Sequence, residues 1–207
     1  NYEGYWGRFD DKIYLASQNI NTQVIGLYGV NATVGYKNFI VRASYGQGDI
    51  DIEQDEVAQF SQLLRQFGFT KNADWLNANG LLQFYQLSAN YEDLDYFVRS
   101  EFAKVKGAGG LFADIDSFYI SAGYIFYPYT VYISYSKKDL HFDHIASEIP
   151  FGFSPDLDVL AATYLGVLAA FPDDKSTGTK LGLRWDWHTK RKWPLYKPKT
   201  SSVMIMR

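Results

Sequence analysis

The chain of 207 residues contains no cysteine, which excludes disulfide frameworks, thiolate zinc sites and cysteine nucleophiles. It also has little net charge, since 20 basic residues stand against 23 acidic ones, and a nucleic-acid protein built on a basic field is therefore not expected. It has no apolar run of about 18 residues, the length at which a transmembrane helix is expected. Disorder is excluded as well, because 47% of the residues are hydrophobic.

Aromatic residues are abundant, with 17 tyrosines, 15 phenylalanines and 5 tryptophans. They fall in segments in which residue types alternate. In the segment 39–45, for example, Phe39, Val41 and the residues that follow at the same spacing form an apolar face, and Arg42 lies on the other face. Such alternation is typical of β-strands with two different faces. Strands are predicted at 24–34, 39–45, 82–91, 96–103, 118–126, 129–138 and 178–188, and residues 2–6 are predicted as the end of one more.

The connections between the predicted strands are short and long in turn. The short turns are 36–38, 92–95 and 127–129, and the long connections are 7–23, 47–81, 104–117 and 139–177. Short turns on one rim and long loops on the other are typical of a transmembrane β-barrel. We therefore predict an all-β fold, an antiparallel up-and-down transmembrane β-barrel of which about seven or eight strands are visible.

Two of the long connections carry helical patterns. In the first, over residues 55–69, apolar residues recur at the spacing of one helix face. That stripe consists of Val57, Phe60, Leu64 and Phe67. The second, over residues 157–171, is apolar nearly all round but, at about 15 residues, too short to span a bilayer. We expect this second helix to be buried on two sides, folded into a lumen or onto a barrel rim.

The two faces of the predicted strands favour lipid outside and water inside. Aromatic residues stand near the strand ends, as they do at membrane interfaces, and the strands have about the 9–11 residues needed to cross a bilayer at a tilt. The charged residues of the polar face are the candidates for lining a pore: Arg42, Arg99, Glu101, Lys138, Lys180, Arg184 and Asp186. A soluble barrel would also alternate, with its apolar face inward, so a lipocalin-like module with an apolar ligand cavity stays open as the alternative.

Four stretches carry a family resemblance: NATVGYKNFIVRASYGQGDIDI, QLLRQFGFTKNADWLNANG, SFYISAGYIFYPYTVYISYSKKD and KSTGTKLGLRWDWH. They resemble the C-terminal half of proteobacterial outer-membrane porins of the general porin superfamily, above all the porin-like proteins of marine gammaproteobacteria. The resemblance covers about residues 1–190. Its most specific parts are GLRWDWH at 182–188 and the YISYSK hairpin at 132–137.

The resemblance implies an outer-membrane channel for the passive diffusion of small hydrophilic solutes or ions, with no enzymatic activity, no cofactor and no metal. Members of the family are about twice as long, which implies a fragment or truncated form. Residues 1–188 would then be a barrel segment and residues 189–207 a basic irregular tail. The expected partners are membrane lipid and solutes, not nucleic acid, together with a second copy or the missing half of the barrel. Because basic residues outnumber acidic ones among the pore-lining candidates, a weak anion preference is expected.

Two clusters of potential metal ligands fit the channel interpretation less well. The acidic run 49–56 invites a calcium site but lacks the spacing of an EF-hand loop, so we interpret it as the solvated base of a loop. His141, Asp143 and His144 have side chains that bind divalent ions, and they are also the residues that a membrane-barrel enzyme would use. No G-x-S-x-G sequence accompanies them, and we predict neither a metal site nor catalysis here.

Overall fold

The computed structural model describes residues 1–15, 18–53, 55–77, 79–107 and 109–185. Eight antiparallel strands form one up-and-down sheet, in which each strand pairs with the next along the chain. The strands are β1 (Tyr2–Leu15), β2 (Gln18–Tyr36), β3 (Phe39–Glu53), β4 (Gly80–Glu92), β5 (Tyr96–Gly107), β6 (Asp114–Phe126), β7 (Tyr129–His141) and β8 (Asp174–Trp185). Three helices lie in the connections: α1 (Asp55–Gln66), α2 (Thr70–Trp75) and α3 (Pro155–Ala170).

The predicted all-β, antiparallel up-and-down architecture is confirmed. The sheet is not closed within the described ranges, because its order runs from β1 to β8 without pairing between those two strands. None of the helices in this part of the chain is long and apolar enough to cross a membrane. The predicted end of the last strand, 186–188, and the predicted tail, 189–207, lie outside the described residues.

The strands are longer than the sequence pattern indicated, with 12 to 19 residues each instead of about 9–11. The prediction of a long loop at 7–23 is wrong, because β1 and β2 continue through most of it as a paired hairpin. The predicted loop at 104–117 shrinks to residues 108–113. The register of β1 and β2 slips by one residue between Gly7 and Phe9, and such a bulge interrupts the period of two by which strands are detected.

The three short turns are confirmed at one rim of the sheet, at Lys37-Asn38, at 93–95 and at Tyr127-Pro128. In the second of them the Asp93 carboxylate accepts hydrogen bonds from the backbone N–H groups of Asp95 and Tyr96, at 2.9 and 2.8 Å. Aspartate is favoured in turns because its side chain can bind the backbone in this way. The connections of residues 54–79, 108–113 and 142–173 consequently all leave the opposite rim.

The apolar core of the described chain lies in these connections and not under the sheet. The buried cluster, which we call the cap core, consists of Leu64, Ala73, Trp75, Leu76, Ile149, Leu160, Ala161 and Tyr164. The partly buried side chains that pack against it come from the same three connections, and none comes from a strand. Hydrophobic burial therefore holds the connections to one another rather than to the sheet.

Polar bonds join the 54–79 and 142–173 connections across the cap core. The buried side chain of Asn72 donates to the carbonyl of Ala146 at 3.2 Å and accepts from the N–H of Glu148 at 3.1 Å. Trp75 donates its indole N–H to the carbonyl of Asp143. The Tyr164 hydroxyl donates to the carbonyl of Ile145, and burial raises the pKa of this phenol. Buried polar groups are thus paired as they are in an ordinary soluble core.

Both predicted helices are present, with two corrections. Of the stripe predicted on α1, Leu64 is buried and Phe67 is exposed. The expectation that α3 is buried on two sides is wrong: Leu160 and Tyr164 are buried on one side, whereas Val159 and Leu165 are exposed on the other. The short helix α2 was not predicted, because its six residues are too few to display a period.

The three connections that pack around the cap core are together called the cap. We predict that Trp75→Ala loosens the cap without loosening the sheet. Replacing this buried ring by a methyl group should cost about 3–5 kcal/mol of local stability. Hydrogen–deuterium exchange should then speed up in residues 55–77 and 142–171 and stay slow in β4–β7. Phe67→Ala, at an exposed position of the same connection, is the control and should leave exchange unchanged. An equal loss of protection from exchange in β4–β7 would contradict the prediction that the cap and the sheet are stabilised separately.

Candidate functional site

The strand register sorts the side chains of the sheet into two continuous faces. Opposite residues of antiparallel strands share a face, so the row that contains Val41 continues through Ala89 on β4, Ser100 on β5 and Ile120 on β6 to Tyr135 on β7. The apolar residues of this face form what we call the apolar belt. On β2–β8 it consists of Val30, Ala32, Val34, Val41, Ala43, Leu87, Ala89, Val98, Ile120, Ala122, Val131, Ile133, Leu181 and Leu183.

A row of aromatic residues borders the apolar belt on each side. The row at the short turns consists of Tyr36, Phe39, Tyr91, Tyr96, Tyr124, Tyr129 and Trp185. The row toward the long connections consists of Trp6, Tyr28, Tyr45, Tyr85, Phe102, Phe118 and Tyr135. Rings of neighbouring strands touch within these rows, as in the pair Tyr91–Tyr96 at 5.4 Å and the pair Tyr45–Tyr85 at 5.1 Å. No charged side chain of the described strands lies between the rows on this face.

The solvent exposure of the two faces is the reverse of that in a sheet of a water-soluble protein. Side chains of the apolar belt are exposed, such as Leu87 at 53% and Ile133 at 52%. On the opposite face, the hydroxyl-bearing residues Ser121, Thr130 and Ser134 are buried. We call this second face the polar face. Soluble proteins place small hydroxyls outside and branched aliphatic residues inside, and the sheet has the two exchanged.

Every described pore-lining candidate lies on the polar face by register. Those residues are Arg42, Arg99, Glu101, Lys138, Lys180 and Arg184. Asp186 lies outside the described residues. That the polar face lines a pore stays a prediction; the register shows only that these charges share one face of the sheet.

A cavity with a volume of about 620 Å³ lies on the polar face, toward the short turns. We call it the basic cavity. It brings together Arg99, Lys180 and Arg184, which were predicted, with Glu92, which was not. Arg99 and Glu92 form an ion pair at 2.8 Å. Arg42 does not line this cavity, and Glu101 and Lys138 line a separate one of about 190 Å³ nearer the long connections.

Two aromatic rings that sequence reasoning had not assigned to a site form part of the basic cavity wall. The Phe97 ring lies over Gly123 and the Tyr132 ring lies over Gly182, so closely that a Cβ atom at either glycine would overlap the ring. The Arg99 guanidinium stands 4.7 Å from the centre of the Phe97 ring. The sequence holds no signal for these pairs, because each joins two strands and depends on their register.

The histidine cluster lies at the base of the 142–173 connection. His141 Nδ1 is 2.9 Å from Asp173 Oδ2, and the N–H of Phe142 donates to the other oxygen of Asp173 at 2.8 Å. His144 is 4.0 Å from Asp173, and Asp143 is exposed. Among the described residues no group of three or more potential ligands has the geometry to hold a metal. The contacts instead tie the start of the connection to its end.

We predict that this tie weakens in acid. The N–H of Phe142, followed by His141, holds the pKa of Asp173 below its ordinary value of about 3.9. A carboxyl group with a lowered folded-state pKa stabilises the fold above the unfolded pKa, and that contribution is lost as the pH falls through the folded value.

Exchange of the Phe142 amide, corrected for its intrinsic rate, should therefore be slow at neutral pH and accelerate below about pH 4. Asp173→Asn should make this exchange faster at neutral pH and nearly independent of pH. Asp156→Asn, at an exposed position of α3, should behave like the unchanged chain. Slow exchange at all pH values in the Asp173→Asn chain would contradict the assignment.

Comparison with protein-family models, curated proteins and solved structures gives no match. The function is therefore inferred from the geometry of the chain itself.

Proposed function

We propose that the chain forms part of the wall of an outer-membrane, porin-like channel through which small hydrophilic solutes diffuse passively. In this proposal the apolar belt faces lipid and the polar face borders a water-filled lumen. The observation that carries the proposal is the apolar belt itself, which is bordered by two aromatic rows and has exposed side chains on each of the strands β2–β8.

The exposed belt would be costly in water. Each fully exposed aliphatic side chain forgoes about 1.5–3 kcal/mol relative to burial, and the belt is continuous across seven strands. Patches of this kind mark contact with another apolar medium. A bilayer supplies that medium, and aromatic rows at its two interfaces are a known feature of membrane barrels.

The charges of the belt-bearing face support the same orientation. Immediately beyond the aromatic row near the long connections, Lys104 pairs with Asp116 at 2.9 Å and Lys175 pairs with Asp139 at 3.3 Å. Ionised groups belong at the level of the lipid headgroups and not in hydrocarbon. The cap, with its separate core, would stand beyond this charged level, in the aqueous phase.

The outer sides of the edge strands β1 and β8 need strand partners if the sheet is to form a channel wall. Backbone N–H and C=O groups in lipid must be hydrogen-bonded within protein, and the outer sides of β1 and β8 have no strand partner among the described residues. Completion of the wall therefore requires further strands, from a second copy or from the other half of a barrel. An even number of antiparallel strands keeps both edges compatible with such closure.

The lipocalin-like alternative gains no support from the geometry. It requires the apolar face as a whole to line an enclosed cavity, whereas residues at its centre such as Leu87 and Ile133 are exposed on the face opposite the basic cavity. The enzyme alternative gains none either, since the His141–Asp173 contacts tie a loop and have no nucleophile beside them among the described residues.

We predict opposite reagent access at two neighbouring positions of β4. The natural absence of cysteine allows single-cysteine chains to be compared directly. In a lipid-reconstituted sample, Ser88→Cys on the polar face should react with a charged, membrane-impermeant thiol reagent. Leu87→Cys on the apolar belt should not react, because lipid covers it. Leu94→Cys, at a turn residue that is 91% exposed, is the control for reagent activity and should react.

Reaction at Leu87→Cys that is as fast as at Leu94→Cys would exclude a lipid-facing belt. This outcome is the one that a water-soluble sheet would give, because Leu87 is 53% exposed and Ser88 is only partly exposed.

We also predict a channel with a modest preference for anions. Five basic side chains and the acidic Glu101 are the described charges among the pore-lining candidates, and basic pore linings favour anions. Single-channel reversal potentials in a potassium chloride gradient should therefore have the sign of chloride selectivity. Liposome swelling should detect entry of an uncharged monosaccharide. Cation selectivity would contradict the charge assignment, and the absence of any permeability would contradict the channel.

A further inference from the structure

A polar row crosses the basic cavity on four neighbouring strands. The register places Lys180 on β8 opposite Ser134 on β7, Ser134 opposite Ser121 on β6, and Ser121 opposite Arg99 on β5. The two serine hydroxyls lie 2.9 Å apart and are buried. The row therefore has a cation at each end and hydroxyl groups in the middle.

The rings of Phe97 and Tyr132 form a platform beside this row. Arg99 stands over the first ring at 4.7 Å, and the Lys180 ammonium stands 6.0 Å from the centre of the second. Cation–π contacts of this kind keep long basic side chains over the rings. The cations are thus held close to the polar row, and the parts of the two rings that they leave uncovered give the basic cavity an apolar surface.

An unpartnered hydroxyl points independently to a ligand. Thr130 lines the basic cavity, is only 2% exposed, and its Oγ1 makes no hydrogen bond. Leaving a buried hydroxyl unpaired costs free energy, and native structures rarely do so. Arg184 lies directly opposite Thr130 in the register, so a bound oxygen acceptor could meet a hydroxyl and a guanidinium at this place.

The net charge of the basic cavity determines whether its ligand is an anion or a cation. Three of its described lining residues are basic, and Glu92, which pairs with Arg99, is the one acidic residue among them. An excess of fixed positive charge in a partly enclosed cavity concentrates anions. Its volume of about 620 Å³ falls in the range of small-molecule sites.

We propose that the basic cavity binds small organic oxyanions, solutes that carry a phosphate or carboxylate on a flat polar body. The oxyanion lies between Arg99 and Lys180 over the serine pair, and the body rests on the Phe97 and Tyr132 rings. This inference names the solute class of the proposed channel. That the chain transports these solutes rests on the proposed channel function, whereas the binding of oxyanions in the basic cavity does not.

Calorimetric titration of the full chain in detergent tests the site with three probes. Glucose 6-phosphate should bind, inorganic phosphate should bind more weakly because it cannot use the rings, and glucose should not bind. Lys180→Gln should weaken glucose 6-phosphate binding about tenfold, the loss expected from removing one hydrogen bond to a charged group. Thr130→Val, which removes only the unpartnered hydroxyl, should weaken it about fivefold.

Lys175→Gln is the matched control, because it makes the same charge change on the same strand but on the opposite face, where Lys175 pairs with Asp139. It should leave binding unchanged. Equal losses for Lys180→Gln and Lys175→Gln, or glucose binding as tight as that of glucose 6-phosphate, would overturn the site. Equal affinities for inorganic phosphate and glucose 6-phosphate would overturn the role of the rings.

The failure of this inference can be told apart from failure of the channel. Binding in detergent without permeability in vesicles would leave the oxyanion site standing and remove the channel. Permeability to an uncharged monosaccharide, with no binding of glucose 6-phosphate, would leave the channel and remove the site.

Discussion

The alternation of side chains along paired strands is the constraint on which the rest of the structure depends. Because opposite residues of an antiparallel ladder share a face, one register creates the apolar belt and the polar face together. Neither face can change without the other, since a slip of one residue would exchange them. The reversed burial, with Ser121 inside and Ile133 exposed, follows directly from this ladder.

The cap is stabilised by different interactions from those that stabilise the sheet. Its residues come from connections on one rim, and they bury Trp75 and Tyr164 as a small soluble core does, with paired polar groups such as Asn72. The sheet instead relies on backbone pairing and buries small hydroxyls. The chain thus combines a cap whose apolar side chains are buried away from water with a sheet whose apolar belt, as we propose, is covered by lipid. Their separation explains why long connections can fold without disturbing the ladder.

Local patterns predicted most of the strands and turns but not all of their lengths. The alternation around Val41 and Ile133 indicated strands, and the three short turns were found from their residues. The bulge near Gly7 and the polar ends of the strands interrupted the pattern, and the strands were therefore predicted too short. The exposed side of α3 was also missed, because a helix that is apolar all round does not reveal which side is buried.

The sequence by itself determined which side chains share a face, because the period of two is a property of each strand alone. It therefore placed Arg99 and Lys180 together on the polar face. Only the tertiary structure decided that Ser121 and Ser134 lie between them, that Phe97 covers Gly123, and that the basic cavity forms. Those contacts join different strands, and cross-strand neighbours are fixed by register and sheet curvature, which no single segment encodes.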